Sequence, residues 1–382
     1  MRSLDEYLER ERRELAPYAC RAAETRGRRH PEEEHPLRSP FERDRDRIIH
    51  SRAFRTLEYK TQVFVNHEGD YYRTRLTHTL EAAQITRTLA RFLRLNEDLA
   101  EAVALVHDVG HPPFGHAGEQ ALEERMWEHG GFEHNRQGLR VVDYLESRYP
   151  EFPGLNLTWE VREGIAKHSR RFDPAAPIPE FQEFAGSRWP SLEAQIADVS
   201  DQIAYNAHDL DDSLTAGLIR LEELERVSLW RRVTAGRGTA LTPEQAKYQG
   251  VRALINAQVQ DVAQVAERRV REWGLESPDG IRSAPGPAAG LSEEMAELNE
   301  ELRAFLRENV YRNYRVFRMS IKARRVLDSL FESYLEHPKQ LPPAALCEDE
   351  PLARCVCDYL AGLTDREALN EHRRLFDPLT TL

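Results

Sequence analysis

The densest chemistry in this sequence occupies ten residues, His107-Asp108-Val109-Gly110-His111-Pro112-Pro113-Phe114-Gly115-His116, which hold three imidazoles and a carboxylate. Imidazole is the commonest protein metal ligand and the side chain that carries protons near neutral pH. Gly110 and the Pro112-Pro113 pair force a break here, because proline cannot continue a helical hydrogen-bond ladder. A helix end running into a stiff turn can aim several side chains at one point, and metal ligation needs such aim. Imidazole plus carboxylate without thiolate suits a catalytic Mg, Mn, Fe, Ni or Zn ion better than a closed structural zinc site. The competing reading is a histidine-rich turn whose rings are merely solvated.

Other residues stand at spacings that put them on shared helical faces. Arg75 lies three residues before His78, and a guanidinium fork suits phosphate oxygens. Glu119 lies three residues after His116, so its carboxylate can orient that imidazole or share its proton. Asp201, Tyr205 and Asp209 stand four residues apart and project from one helical face. Between positions 38 and 60, seven basic residues (Arg38, Arg43, Arg45, Arg47, Arg52, Arg55, Lys60) face four acids. Such a patch suits a polyanionic ligand, and equally a salt-bridged helix face. Taken singly, His78 reads as a core histidine, His134 as a structural one after Gly130-Gly131, and Asp201 as one acid among Asp198, Asp209, Asp211 and Asp212.

The elements that must position these groups are helical. Apolar residues recur at helical rather than alternating spacing, and no β-branched run sits between turn signals, so an all-α fold is expected. Residues 1–24 read as a polar helix and 25–40 as a charged, proline-marked linker that does not pack. A helix from Leu76 carries Leu80, Ala83, Leu89 and Phe92 as its apolar side, and the next, from Glu97, places His107 and Asp108 at its last turn. A third starts near Ala117. Ser191 to Asp212 forms one helix with Ile196, Val199, Ile203 and Leu210 buried, and Thr242-Pro-Glu-Gln245 is a capping pattern that opens another. Ser277 to Gly290, with its prolines and glycines, reads as a loop without a core of its own. The linear division expected is 1–39, 40–230, 231–276, 277–292 and 293–382.

Composition narrows the function classes. At 53 basic against 65 acidic residues the net charge is -12, which disfavours a general electrostatic coat of nucleic acid, so any anionic ligand must be met locally. No apolar run reaches the roughly 18 residues of a membrane helix, and Met1 to Leu15 lacks the apolar core of a secretory signal, so a cytoplasmic chain with no membrane partner is expected. Four cysteines, Cys20, Cys347, Cys355 and Cys357, read as reduced structural thiols.

Six ordered stretches carry a resemblance to a known family: Arg47-Ile-Ile-His-Ser-Arg-Ala-Phe-Arg55, Arg75-Leu-Thr-His78, His107 to His116, Gly131-Phe-Glu-His-Asn135, Ser191-Leu-Glu-Ala-Gln195 and Asp201-Gln-Ile-Ala-Tyr-Asn-Ala-His-Asp209. Together with a weaker match at Tyr311 to Arg318, they make the chain similar to the HD-domain deoxyguanosine triphosphate triphosphohydrolases. The resemblance implies an HD-domain helical core with additional N- and C-terminal helices. It implies one divalent metal, Mg2+ or Mn2+ or another transition metal, on His78, His107, Asp108 and Asp201. His116 and Glu119 would serve the chemistry, and His111 and His134 would contact phosphate. Arg75 would grip the phosphate nearest the sugar, with Arg47 and Arg55 as further substrate contacts. Tyr205 would pack under the deoxyribose and Asp209 bind its 3′-hydroxyl. Some relatives place a phosphate-binding lysine where this chain has Gln202. The partners implied are a deoxynucleoside triphosphate substrate, a deoxynucleotide activator at a second site, and copies of the same chain in a homo-oligomer such as a hexamer.

The expected reaction is release of a deoxynucleoside and tripolyphosphate from dGTP and other deoxynucleoside triphosphates. An HD phosphodiesterase or nucleotidase that cuts another bond, with two ions if His111 and His134 are ligands, is the alternative enzyme. A nucleotide-sensing or single-strand nucleic-acid-binding protein is the alternative outside enzymes.

Overall fold

The structure is a computed structural model and describes residues 4–62, 72–170, 173, 178–236 and 241–380. Among these residues there is no β-strand. The helices are α1 (Leu4–Glu14), α2 (Pro40–His50), α3 (Arg52–Thr56), α4 (Arg75–Phe92), α5 (Glu97–Val106), α6 (Gly115–Arg125), α7 (His134–Arg140), α8 (Trp159–Ala166), α9 (Leu192–Thr215), α10 (Ser228–Thr234), α11 (Pro243–Glu272), α12 (Pro278–Arg282), α13 (Glu293–Leu306), α14 (Tyr314–Glu336), α15 (Leu352–Gly362) and α16 (Asp365–Phe376). The all-α expectation holds. No helix among the described residues is long and apolar enough to cross a membrane.

Local sequence explains where helices begin. The side chains of Asn96 and Ser191 accept hydrogen bonds from Leu99 N and Ala194 N at the starts of α5 and α9. Thr242 and Gln245 form the expected reciprocal box at α11, with Pro243 in the first turn. These caps satisfy amides that would otherwise lack a helical partner.

The chain divides into two compact units, each assembled from discontinuous segments. The first comprises Met1–Ile49, His78–His107 and Asn156–Asn313. Within it α9 packs on α5, α8, α11 and α13. Leu192, Ile196, Val199 and Ile203 of α9 are buried in its core. Each such side chain contributes roughly 1.5–3 kcal/mol, which together outweighs five aspartates in the same helix at about 0.7 kcal/mol each. The α4 stripe differs from expectation. Ala82, Ile85, Leu89 and Leu93 are buried, whereas Leu80 and Phe92 are 50% and 59% exposed. At 100° per residue Leu80 lies opposite the centre of that stripe.

Two segments read as unpacked are tied into this unit. In 25–40, Arg28 pairs with Asp44 and donates to the carbonyls of Asn156 and Pro40, while Asn156 bonds both main-chain groups of His30. That anchoring is polar, so an apolar pattern could not reveal it. In 277–290, α12 and its sequel bury Ile281, Ala284, Ala288 and Ala289.

The second unit comprises His50–Thr77, Asp108–Leu155 and Tyr314–Leu382. Here α14 packs on α6, α15 and α16 around Leu122, Met126, Leu327, Leu330, Phe331, Val356 and Leu360. The predicted turn after α5 belongs to this unit. Gly110 is required: a Cβ there would stand 2.0 Å from the His134 carbonyl oxygen. Phe114 adopts a left-handed φ of 66°, unusual for a bulky residue. Its amide donates to Asp365 Oδ1 at 2.8 Å, and the same carboxylate accepts from both the amide and the hydroxyl of Thr61. Lys60, 2% exposed, donates to the carbonyls of His111 and Ala361 at 2.7 and 2.9 Å.

Candidate metal centre and histidine cluster

Within the first unit, α4 supplies His78, the C-cap of α5 supplies His107, and α9 supplies Asp201. Ligand atoms of the three lie within 4.8 Å of one another. His78 Nε2 is 2.8 Å and His107 Nε2 3.5 Å from Asp201 Oδ1. His107 Nδ1 contacts the Ala104 carbonyl at 2.7 Å, which keeps its proton there and leaves the Nε2 lone pair for a ligand. Burial works against the charge of Asp201, yet its contacts with His107, His168 and His78 hold its carboxyl well below the usual range. A thiolate-free set of two buried imidazoles and a partly buried carboxylate fits a divalent cation.

Two histidines that sequence reasoning missed adjoin this set. His168, after α8, has Nε2 3.6 Å from Asp201 and Nδ1 3.4 Å from Asp198. His208 contacts the far nitrogen of His78 at 3.1 Å. No spacing rule singles out His168, which stands alone in the sequence. His208 lies in the quoted Asp201–Asp209 motif, seven residues after Asp201, and that was its available signal.

Tyr205 and Asp209 follow Asp201 on α9 as the spacing required. The Tyr205 ring packs edge-on to His78, with centroids 6.5 Å apart, and buried Asp209 accepts a hydrogen bond from the Tyr311 hydroxyl. Burial and the neighbouring Asp209 carboxylate push the Tyr311 phenol far above its usual range. Gln202 donates to Asp198 at 3.3 Å.

The second unit gathers His111, Glu119 and His134, all buried, again with ligand atoms within 4.8 Å. The His111 and His134 rings stack with centroids 4.0 Å apart and planes 13° from parallel. Glu119 holds His134 Nδ1 at 2.7 Å and stands 3.6 Å from His116, whose side chain is 59% exposed. Its nearest imidazole is thus His134, fifteen residues away, rather than His116. Burial opposes the charge on Glu119, but bonds from His116 and His134 hold its carboxyl far below the ordinary range. Burial likewise opposes charging His134, but Glu119 overcomes it and raises that imidazole. His111 goes the other way, because burial and the Arg75 charge push it well below its usual value.

Asp108 opens this unit's central segment. Its carboxylate pairs with buried Arg75 at 2.9 Å and lies 3.2 Å from His111 Nε2. Arg75 Nε has no hydrogen-bond partner among the described residues. Other predicted arginines are engaged by the protein itself. Arg47 is buried against Glu32 and the Asn156 carbonyl, and Arg55 donates to the carbonyls of His50 and Ser51. Arg38, Arg43 and Arg45 pair with Asp46, Glu32 and Asp98.

A helical scaffold with an adjacent histidine and aspartate at a helix end, and further imidazoles and a carboxylate gathered from distant helices, defines the HD class of metal-dependent phosphohydrolases. The HD domain matches residues 75–206, and a phosphohydrolase-associated domain matches residues 289–374. Curated relatives span nearly the whole chain. A deoxyguanosinetriphosphate triphosphohydrolase-like protein of Geobacter metallireducens is 52% identical over 96% of this chain and 96% of its own length. Proteins of that same name from Ralstonia pickettii and Bordetella pertussis are 52% and 51% identical over 95% of this chain and 94% and 97% of theirs. The chain belongs to this deoxyguanosinetriphosphate triphosphohydrolase-like family. A solved chain from Aquifex aeolicus, titled a hypothetical protein, covers 78% of this chain and 79% of that one at 16% identity with a TM-score of 0.33, too low to carry an argument.

Proposed function

We propose that this chain hydrolyses deoxynucleoside triphosphates, dGTP among them, to a deoxynucleoside and inorganic tripolyphosphate. The observation that carries the reading is the convergence of His78, His107 and Asp201 from three helices, in a chain whose full-length relatives bear a triphosphohydrolase-like name. These three, with Asp108 next to His107 in the chain, would hold Mg2+ or Mn2+. Such an ion supplies Lewis-acid polarisation of a phosphoryl oxygen and a lowered pKa for bound water.

The protein's own groups bind, orient and move protons. Arg75 neutralises the phosphate joined to the sugar, offering an uncommitted Nε besides the Nη1 contact to Asp108. Water adds to that phosphorus, the bond to the 5′-oxygen breaks, and the leaving oxygen takes a proton to give the deoxynucleoside. His116 is the proton carrier, solvent-accessible and steadied by Glu119, a role worth roughly 10²–10⁴ in rate. His111, pushed toward its neutral form by burial, and His134, pushed toward its protonated form by Glu119, hydrogen-bond phosphate oxygens. Tyr205 packs under the deoxyribose, and Asp209 takes its 3′-hydroxyl in exchange for Tyr311. Arg47 and Arg55 would have to trade their present partners for phosphate, at the substrate or at an activator site. A homo-oligomer, a hexamer by resemblance, completes the proposal.

The test is incubation with each deoxynucleoside triphosphate, singly and mixed, with Mg2+ or Mn2+, resolving tripolyphosphate from pyrophosphate and phosphate. Pyrophosphate or phosphate as the sole inorganic product rejects the reading. One observation favours a second reading, a two-ion HD phosphodiesterase or nucleotidase: the His111, Glu119 and His134 ligand atoms are also within 4.8 Å of one another. The same product analysis separates the two.

A further inference from the structure

His78 is engaged at both ring nitrogens. Nε2 faces Asp201 Oδ1 at 2.8 Å, and Nδ1 lies 3.1 Å from Nδ1 of His208. His208 Nε2 in turn stands 2.6 Å from Glu81 Oε2, at ion-pair distance though not in hydrogen-bond alignment. His78 and Glu81 are three residues apart on α4, one helical turn, while His208 comes from α9. Both imidazoles are 1% exposed, whereas the Glu81 side chain is 44% exposed. Within one unit, a continuous line of polar contacts thus runs from the candidate metal centre to a solvent-reaching carboxylate.

Proton counting gives this line a direction. A neutral imidazole has one N–H and one lone pair. If His78 offers the Nε2 lone pair to a cation, its proton must sit on Nδ1 and point at His208. His208 can accept only with an unprotonated Nδ1, so its own proton sits on Nε2, against Glu81. One arrangement therefore gives each facing pair of atoms a matching donor and acceptor, with the negative charge of Glu81 at its outer end and a small rotation of its carboxylate needed to align it with His208. His107 differs, because its Nδ1 is held by the neutral main-chain carbonyl of Ala104.

We infer that His208 and Glu81 are positioning residues that set the tautomer of His78 and raise its basicity toward a divalent cation. The inference rests on His78 being a metal ligand. Partners behind ligating histidines commonly alter metal affinity by about 10- to 100-fold. Neither residue touches substrate in this scheme, and their effect reaches the reaction only through His78.

The test uses the full-length chain stripped of metal, with Mn2+ affinity from calorimetry and the visible spectrum of bound Co2+ as readouts. Glu81→Gln replaces a half-exposed side chain with its isostere and keeps the fold, which circular dichroism checks. It should weaken Mn2+ binding by about tenfold and alter the Co2+ spectrum. His208→Gln should weaken binding by about 10- to 100-fold, and adding Glu81→Gln to it should cost nothing more, because the connection is already cut. If Glu81→Gln and His208→Gln bind like the wild type while His78→Ala does not bind, the relay is wrong and the metal reading stands. If the wild-type chain takes up no ion, the metal reading fails and the relay with it. Strictly additive losses in the double variant would also overturn the relay.

Discussion

Glu119 sits between two imidazoles, and which of them it serves depends on neighbours far apart in sequence. Helical spacing pairs it with His116, yet its short bond goes to His134. The pair has a definite pH window. Because the His134 imidazole is raised, its share of stability is complete below its unfolded value near 6.5 and is lost as pH rises through the folded value. Glu119, depressed, contributes fully above about 4.5 and less as pH falls below that. The melting-temperature difference between wild type and Glu119→Gln should therefore peak between these two values, and a flat difference from pH 4 to 9 would disprove the coupling. Asp201→Ala should lower turnover by at least about 100-fold while far-UV circular dichroism is unchanged; retained activity in metal-stripped protein would refute the metal-dependent reading. At this scale the sequence exposed His78, His107 and Asp201 through ordered motifs. His168 stayed hidden because its proximity to Asp201 is created only by folding, and the bond from Glu119 to His134 spans a turn that periodicity cannot see.

At the scale of elements, the strained loop from Gly110 to His116 is held from outside by groups that carry no chemistry. Asp365, at the start of α16, accepts from Phe114 N and twice from Thr61. Asp365→Ala leaves buried amides without partners and should destabilise the protein by about 3 kcal/mol, measured by urea unfolding. Lys60, taken from its charge as part of a basic phosphate patch, is buried in the same support. Burial and the nearby Arg75 push its ammonium down to about 7. The unfolded chain binds the extra proton between about 7 and 10.5, so this group makes stability rise with pH over that range, and Lys60→Met should flatten the rise. Capped helices such as α5, α9 and α11 were legible because side-chain caps and apolar stripes are local signals. Of the α4 stripe, Ala83 and Leu89 are buried as expected and Leu80 and Phe92 are not, because at 100° per residue the four positions do not share one face, and residues 25–40 carry no apolar signal because Arg28, Asn156 and Glu32 anchor them through polar bonds.

For the whole molecule, all-α architecture and family were legible, the first from periodicity and the second from motifs spread over the chain. The division into two units was not, since each is assembled from three separated segments whose pairing no linear boundary announces. Ligand linkage gives a global prediction: Mn2+ at a hundred times its dissociation constant should stabilise the chain by about 2.7 kcal/mol, read as a rise in melting temperature, and Asp201→Ala should abolish the rise. The discontinuity also bears on biosynthesis. α6 ends at Arg125, but its packing partner α14 begins at Tyr314, 189 positions later. At roughly 5–20 residues per second the apolar face of α6 waits about 10–40 s for the helix that covers it. The unit that carries His111, Glu119 and His134 can close its core only after α14 to α16 have been made, so a nascent or prematurely ended chain presents that face to holdase chaperones and proteases.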